Sequence, residues 1–257
     1  MTLHDSARRP EGIIALVTGA GSGIGRATAL RLSSLGLPIA ALDIDGTASD
    51  ETVRQIRELN GRAATYQGDV ANAAEVAELV AAVQESQGPI GIAVNVAGIQ
   101  SPSTPIRDLP LEEWRRVLSV NLNGTFLICR AVLPSMLRLG WGRILTTSSV
   151  LGQRGRAGTG AYASSKAALI GLTRSLALEV ADKGITVNAV LPSMVDTNLI
   201  RSHMTEEQIR ARGRELAIGR VAEADEVAAA IAFLVSDDAS YISGAELVIS
   251  GGSFLRA

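Results

Sequence analysis

The chain has 257 residues, of which 47% are hydrophobic and 19% charged, and a formal net charge of −2. This length can fill a substantial core, and a near-neutral charge without long runs of one sign favours neither nucleic acid nor an anionic membrane as a partner. One cysteine excludes an internal disulfide and, with only two histidines, argues against a zinc site. No run of apolar residues is as long as a membrane span, so we expect a cytoplasmic protein without a metal.

Short apolar or β-branched runs alternate with longer segments in which apolar residues recur three and four positions apart. This alternation is typical of a parallel sheet covered by helices on both faces. The sequence predicts an α/β doubly wound Rossmann fold with a seven-stranded parallel sheet, formed by residues 1–257 as a single domain. The predicted strands are residues 13–18, 38–43, 63–68, 92–97, 143–148, 186–191 and 246–250, and the first three helices are residues 24–36, 47–61 and 73–88.

The first predicted strand leads into the motif TGAGSGIG at residues 18–25, and a helix follows at once. Gly19 permits the tight turn, Gly23 lets the backbone approach a pyrophosphate, and Gly25 lets helix and strand pack closely. The start of the helix offers unpaired N–H groups and a positive dipole end to phosphates. We therefore predict a dinucleotide site at this turn.

Asp43 ends the second predicted strand, eighteen residues after the last glycine of the motif. Its carboxylate can accept hydrogen bonds from both ribose hydroxyls of NAD. The alternative is a cap or turn residue, because the stretch is rich in acids and Asp45-Gly46 is a turn signal. Asp43 would repel the 2′-phosphate of NADP, and neither Ser22 nor Ile44 is basic enough to offset this. The sequence favours NAD as the cofactor.

Tyr162 and Lys166 are four residues apart on a predicted helix over residues 158–180, and the chain has only two lysines among its 24 basic residues. Side chains at this spacing share one helix face. A phenol is a weak acid–base catalyst at neutral pH, and a neighbouring ammonium lowers its pKa. Lysine can also donate to a ribose hydroxyl. The pair predicts a proton-transfer site, with a core tyrosine and a solvated lysine as the alternative.

Two polar residues accompany this pair. Ser149 ends the fifth predicted strand, at the carboxyl edge where open α/β sheets bind ligands, and its hydroxyl could hold a substrate oxygen. Taken alone, such a serine is usually a turn or cap residue. Asn121 lies within a long helical segment although asparagine is a poor helix former. Its side chain or displaced carbonyl could bind a water leading to Lys166, or it is a tolerated polar residue beside Asn123-Gly124.

Together these residues resemble the short-chain dehydrogenase/reductase family in its single-domain branch, nearly end to end. The resemblance implies that Tyr162 is the general acid/base, that Ser149 orients the carbonyl or alcohol, that Lys166 lowers the tyrosine pKa and holds the ribose, and that Asn121 supports a water chain. The chain departs from the family pattern at Val96, Ser193 and Ser250. The motifs and the resemblance place the cofactor against Gly19, Ser22, Gly23, Ile24, Gly25, Asp43, Ile44, Asp69, Val70, Asn95, Ala97, Gly98, Tyr162, Lys166, Pro192, Val195 and Thr197.

The implied function is NAD-dependent hydride transfer between nicotinamide and a secondary alcohol or ketone, in a homotetramer. We expect a small polar substrate of the polyol, sugar or hydroxy-acid type, with the segment 198–218 as a mobile lid. An arginine of the loop 150–160 would pair with any substrate charge, or both its arginines are solvated. Alternatives are a 3-oxoacyl-carrier-protein reductase and a non-catalytic NAD-binding regulator. The expected substrate residues are Gln100, Ser149, Leu151, Gln153, Arg154, Arg156, Tyr162 and Ser193.

Overall fold

The computed structural model describes residues 9–202 and 204–253, so the two histidines, His4 and His203, lie outside the described residues. Seven strands form one parallel sheet in the order β3-β2-β1-β4-β5-β6-β9. The predicted seven-stranded parallel sheet is confirmed, with strand bounds that shift by at most two residues at each end. The strands are β1 Ile14–Thr18, β2 Ile39–Asp43, β3 Ala63–Gln67, β4 Ile90–Asn95, β5 Gly142–Thr147, β6 Ile185–Pro192 and β9 Glu246–Ile249.

Helices cover both faces of the sheet because its buried strands are apolar on both sides. Along β1, Ala15 and Val17 belong to one hydrophobic cluster, while Ile14 and Leu16 belong to the other. α1, α2 and α10 contribute to the first cluster, and α3, α5 and α7 to the second. The helices are α1 Gly23–Ser34, α2 Gly46–Glu58, α3 Ala73–Gln87, α4 Leu111–Leu118, α5 Thr125–Leu139, α6 Val150–Arg154, α7 Gly160–Val180, α8 Asn198–Arg201, α9 Glu206–Glu215 and α10 Ala224–Leu234.

Three parts of the structure differ from the sequence reading. The loop expected at residues 150–160 contains the short helix α6, and the segment expected to be a lid contains α8 and α9. A second, two-stranded parallel sheet, β7 Val195–Asp196 with β8 Ala222–Glu223, brackets that segment and was not predicted. The two-residue strands and the helices α6 and α8, of five and four residues, are too short to produce a readable periodicity, so only tertiary contacts reveal them. The ten residues of α9 include a single buried apolar side chain, Ile209, so it has no apolar periodicity either.

The helical segment around Asn121 is continuous from Leu111 to Leu139, with a π-helical stretch at Ser119–Gly124 between α4 and α5. This 29-residue helix is long and apolar enough, by length and composition, to cross a membrane. Its apolar residues do not form an unbroken run of that length, because Asn121, Asn123 and Arg130 interrupt them. In the fold the apolar face of α5 is buried against the sheet, with Ile128, Val132 and Met136 almost fully covered.

Candidate active site

A cavity of about 510 Å³ lies at the carboxyl ends of the strands, where β1 and β4 are neighbours although β2 and β3 follow β1 in the chain. Such a reversal of strand order is where open α/β sheets bind ligands. The walls come from the glycine-rich turn, the ends of β2, β4, β5 and β6, and α7. The lining residues that the sequence had identified are Gly19, Ser22, Gly23, Ile24, Asp43, Ile44, Asp69, Val70, Ala97, Gly98, Gln100, Ser149, Tyr162, Lys166, Pro192, Ser193, Val195 and Thr197.

Two glycines of the glycine-rich turn, Gly19 and Gly25, have no room for a side chain. A Cβ on Gly25 would lie 1.9 Å from the carbonyl oxygen of Gly19, and one on Gly19, which has a φ of +67°, would lie 2.9 Å from the Ala97 nitrogen. The Ser22 side chain makes no cap hydrogen bond, and the first turn of α1 has no acidic residue. The start of α1 thus retains N–H groups and a positive dipole end for an anion. Gly25 shapes this turn but is not part of the cavity wall.

Asp43 is a turn residue whose side chain also reaches the cavity. Its Oδ2 accepts from the Gly21 N–H at 2.8 Å, and its Oδ1 accepts from the Asp45 N–H at 3.0 Å, so it is a turn residue. Asp43 also lines the cavity. A carboxylate has about four acceptor positions, so about two remain for hydroxyl groups of a ligand. Asp45, by contrast, caps α2 by accepting from the Ala48 N–H at 3.0 Å.

Asn95 supports the cavity from behind instead of lining it. It is 3% exposed, and its Nδ2 donates to the Leu145 carbonyl at 3.2 Å, which links the ends of β4 and β5. The next turn is held by Thr18, whose Oγ1 accepts from the N–H groups of Val96 and Ala97, each at 3.1 Å. These contacts position the backbone of residues 96–98 opposite the glycine-rich turn.

At the other end of the cavity Lys166 is buried and Tyr162 is half-buried. The Lys166 Nζ donates to the Thr147 carbonyl at 2.7 Å and lies 5.7 Å from the centre of the Tyr162 ring. Burial lowers the pKa of Lys166 to about 8. Burial also raises the pKa of Tyr162, and hydrogen bonding with the Gln100 and Ser149 side chains opposes this rise only in part.

The direction of the Tyr162 pKa therefore differs from the sequence expectation, in which the ammonium lowered it. The physical reason is that the Lys166 ammonium is directed to the Thr147 carbonyl, and desolvation disfavours the phenolate. The same burial gives Lys166 a pKa of about 8, so its positive charge is itself costly here. A bound ligand that offers hydroxyl groups would give this ammonium a further partner.

Asn121 is completely buried and has partners for its whole side chain. Its Oδ1 accepts from the Ile99 N–H at 2.8 Å, and its Nδ2 donates to the Ile99 carbonyl at 2.9 Å and to the Ser165 Oγ at 3.0 Å. A Cβ on Gly98 would lie 3.2 Å from Oδ1 and 3.3 Å from the Lys166 Nζ, so the two side chains approach each other across this glycine. The side chain therefore holds the loop after β4.

The expected substrate residues separate into two groups. Ser149, Tyr162, Gln100 and Ser193 line the cavity, whereas Leu151, Gln153, Arg154 and Arg156 are not part of its wall in the described ranges. Two of these side chains bind the C-terminal part of the chain instead. Gln153 donates to Glu246 at 2.7 Å, and Arg154 donates to the Ser253 carbonyl at 3.1 Å.

Several lining residues were missed by the sequence reading. Arg116 lies at the mouth of the cavity, where it forms an ion pair with Glu113 at 2.7 Å. Arg116 lies four residues before Val120, which also lines the cavity, so the two share one helix face. This spacing could have identified Arg116 from the sequence. The other missed residues are mostly apolar or backbone positions, whose types carry no chemical signal. They are Leu42, Gly68, Ile99, Val120, Thr147 and Ser148. Val96, Leu199 and Ile200 also line the cavity, and they lie in the stretches 95–98 and 198–218 that the sequence had placed beside the ligand.

The residues present fit a dinucleotide. A Cβ at Gly19 or Gly25 would clash with the backbone around the turn. The uncapped start of α1 suits phosphates, and Asp43 retains acceptor positions for a ribose. At the far end, the buried Lys166 ammonium and Tyr162 hydroxyl face the same cavity as Ser149. The glycine-rich turn, Asp43 and the polar side chains at the far end therefore share one cavity.

Comparison with known proteins agrees with this geometry. Residues 19–253 match the family model described as enoyl-(acyl carrier protein) reductase. The chain is 39% identical to a cyclohexanol dehydrogenase of Acinetobacter sp. (93% of each chain covered) and 37% identical to a 3-oxoacyl-acyl-carrier-protein reductase of Pseudomonas aeruginosa (95% of this chain and 98% of that one). The crystal structure of levodione reductase superposes with a TM-score of 0.91 at 34% identity, covering 95% of this chain and 98% of that one. The cavity, its residues and these similarities establish that the chain is an oxidoreductase of the short-chain dehydrogenase/reductase family, whose members act on CH–OH groups.

Proposed function

We propose that this enzyme uses NAD to interconvert a small secondary alcohol and its ketone. The observation that carries the proposal is that the Tyr162 hydroxyl and the Ser149 hydroxyl line the same cavity as Asp43 and the start of α1. When bound there, the nicotinamide supplies or accepts the hydride. The chain itself supplies binding, orientation and proton transfer.

The roles of the residues follow from their contacts. Ser149 donates a hydrogen bond to the substrate oxygen, and Tyr162 takes the alcohol proton or returns it to the ketone. The buried Lys166 ammonium binds the ribose hydroxyls and, once drawn towards them, favours the phenolate of Tyr162. Asn121 holds the loop at Ile99 and Gly98 against this group. Asn121 is thus part of the catalytic set through position and not through direct contact with substrate.

The choice of NAD over NADP rests on Asp43. The 2′-phosphate of NADP would have to lie beside this carboxylate, and at about 5 Å two like unit charges repel by about 3 kcal/mol at an effective dielectric constant near 20. Ser22 and Ile44 line the cavity at the neighbouring positions and carry no positive charge. Asp69, Val70 and Ala97 complete the proposed adenosine side, and Pro192, Val195 and Thr197 the nicotinamide side.

The substrate is proposed to be compact and largely apolar apart from its oxygen. Leu199 and Ile200 line the cavity together with Ile99, and Gln100 and Ser193 supply polar contacts. Arg154, whose guanidinium binds the Ser253 carbonyl, is not placed to pair with a substrate carboxylate. This observation moves the proposal away from an anionic substrate, and the 39% identity to a cyclohexanol dehydrogenase favours a cyclic secondary alcohol.

A second candidate is a biosynthetic reductase of carrier-bound 3-oxoacyl groups, favoured by the 37% identity to such an enzyme. Because Asp43 disfavours NADP, we rank it below the NAD-dependent dehydrogenase. A purely regulatory NAD-binding protein would not need Ser149, Tyr162 and Lys166 together. By family likeness we also propose a cytoplasmic homotetramer built from one domain.

The test is the initial rate of NADH formation with cyclic and acyclic secondary alcohols, polyols, sugars, hydroxy acids and a 3-hydroxyacyl thioester. Each substrate is also assayed with NADP, for which the rate of NADPH formation is measured. Turnover of a neutral secondary alcohol with NAD, lost in Tyr162→Phe, supports the proposal. Turnover of the thioester alone, with NADP preferred, establishes the second candidate instead. NADH binding without turnover of any substrate would overturn both enzymatic proposals.

A further inference from the structure

The short helix α6 begins at Ser149, the residue proposed to hold the substrate oxygen. The Ser149 Oγ accepts from the Leu151 N–H at 3.2 Å, and the Ser149 carbonyl accepts from the Gly152 N–H at 2.9 Å. A helix of five residues is not stable in isolation, so its position depends on what it contacts. One contact is with α7, because a Cβ on Gly152 would lie 2.8 Å from the Lys166 carbonyl carbon.

The opposite side of α6 is bound by the C-terminal part of the chain. Gln153 Nε2 donates to Glu246 Oε2 at 2.7 Å, and Arg154 Nη1 donates to the Ser253 carbonyl at 3.1 Å. Glu246 is the first residue of β9 and is paired with Ala189 of β6, so its backbone is fixed in the main sheet. Its side chain is only 12% exposed. The contact with Gln153 therefore joins α6 to a rigid element.

Glu246 also accepts a hydrogen bond from Arg174, a residue of α7 two turns beyond Lys166. The Arg174 side chain is 64% exposed, and exposed ion pairs contribute little. Gln153 is exposed as well, so the two partners of this carboxylate differ in the element that each one holds and not in exposure. Gln153 acts on the short helix that Ser149 caps, whereas Arg174 belongs to a helix of 21 residues, nine of which are buried.

We propose that Glu246, acting through Gln153, is a positioning residue that holds Ser149 at the separation from Tyr162 that carbonyl polarisation and proton transfer require. This inference rests on the proposed function of that site. A displacement of about 1 Å of a catalytic group can cost about a hundredfold in rate, so a single hydrogen bond to a short helix is enough to matter. The sequence reading had assigned Gln153 to the substrate, and its contact with Glu246 gives it a different role.

The test measures kcat, KM for NAD, KM for the alcohol and the pH–rate profile of Gln153→Ala. We expect kcat to fall about tenfold while KM for NAD and the melting temperature stay at wild-type values. The pH profile provides a readout that loss of packing would not move. Hydrogen bonding with Ser149 opposes the burial that raises the pKa of Tyr162, so displacement of Ser149 moves the alkaline limb to higher pH. Lys166, 5.7 Å from the ring, is unchanged in this variant.

Three further variants complete the test. Glu246→Ala should reproduce the loss in kcat, and Glu246→Gln, which keeps an acceptor for Gln153, should restore most of it. Arg174→Met is the matched control, because it removes the other partner of the same carboxylate, and it should leave kcat and the pH profile unchanged.

The inference is overturned if Gln153→Ala matches the wild type, or if Arg174→Met causes the same loss. Should Glu246→Ala fail to fold, Glu246→Gln and Gln153→Ala still decide the matter. Failure of the proposed function itself has a different signature, namely a Tyr162→Phe variant that keeps its activity.

Discussion

Replacement of Asp43 by asparagine is the most direct test of the proposed cofactor preference. The change removes one negative charge and keeps the size of the side chain. At about 5 Å and an effective dielectric constant near 20, a unit charge on the 2′-phosphate is repelled by about 3 kcal/mol, and partial exposure of Asp43 reduces this to about 2 kcal/mol. Since about 1.4 kcal/mol corresponds to a factor of ten, NADP should gain about thirtyfold in kcat/KM.

The same change weakens NAD binding. A hydrogen bond to a charged acceptor contributes about 1.5–3 kcal/mol, more than one to an amide oxygen, so kcat/KM with NAD should fall by about tenfold. Asp43 also accepts from the N–H groups of Gly21 and Asp45, and an amide can accept from only one of them. We therefore expect a loss of about 1 kcal/mol in the free energy of unfolding.

The assay compares kcat/KM for NAD and for NADP at one saturating alcohol concentration, in wild type, Asp43→Asn and Asp45→Asn. Asp45→Asn is the matched control because it removes the same charge two residues away while asparagine still caps α2. The NAD/NADP ratio of kcat/KM should fall by about 300-fold in Asp43→Asn, which is the product of the two effects. A ratio within threefold of wild type, or an equal fall in both variants, would refute the reasoning.

Three other predictions concern protonation and packing. Alcohol oxidation should accelerate from pH 6 to pH 9, because oxidation needs the Tyr162 phenolate and burial raises the pKa of Tyr162 above its ordinary value. Ketone reduction needs the phenol, which stays protonated over this range, so its rate should not change; an oxidation rate that is independent of pH would contradict this. Lys166→Met should abolish turnover yet raise the free energy of unfolding at pH 7, measured in urea, by about 1 kcal/mol, because the folded chain no longer buries an ammonium. This gain should shrink between pH 8 and pH 10.5, since the wild-type lysine is neutral when folded above its pKa of about 8 but still charged when unfolded. Gly25→Ala should lower both the melting temperature and the affinity for NAD, because its Cβ would lie 1.9 Å from the Gly19 carbonyl oxygen. Gly171→Ala, in open space on α7, should instead stabilise the fold by about 1 kcal/mol. Similar melting temperatures for the two variants would count against the packing argument.

Local patterns determined much of this protein from its sequence. The seven strands of the sheet, the glycine-rich turn, Asp43 and the Tyr162/Lys166 pair were all identified from periodicity and spacing. Each depends on residues near one another in the chain, where sterics and helix geometry impose the arrangement. Ser149 was identified because a strand end in a parallel sheet lies at the ligand-binding edge whatever the details of packing.

Tertiary structure decided what depends on contacts between distant segments. Gln153 and Arg154 turn to Glu246 and Ser253, more than ninety residues away, and no local pattern indicates those partners. Arg116 reaches the cavity only because α4 lies along its mouth. The pKa of Tyr162 is raised, not lowered, because its desolvation is the sum of all that surrounds it. Local spacing determines which groups can meet, whereas burial and distant partners determine which way each group points and how readily it ionises.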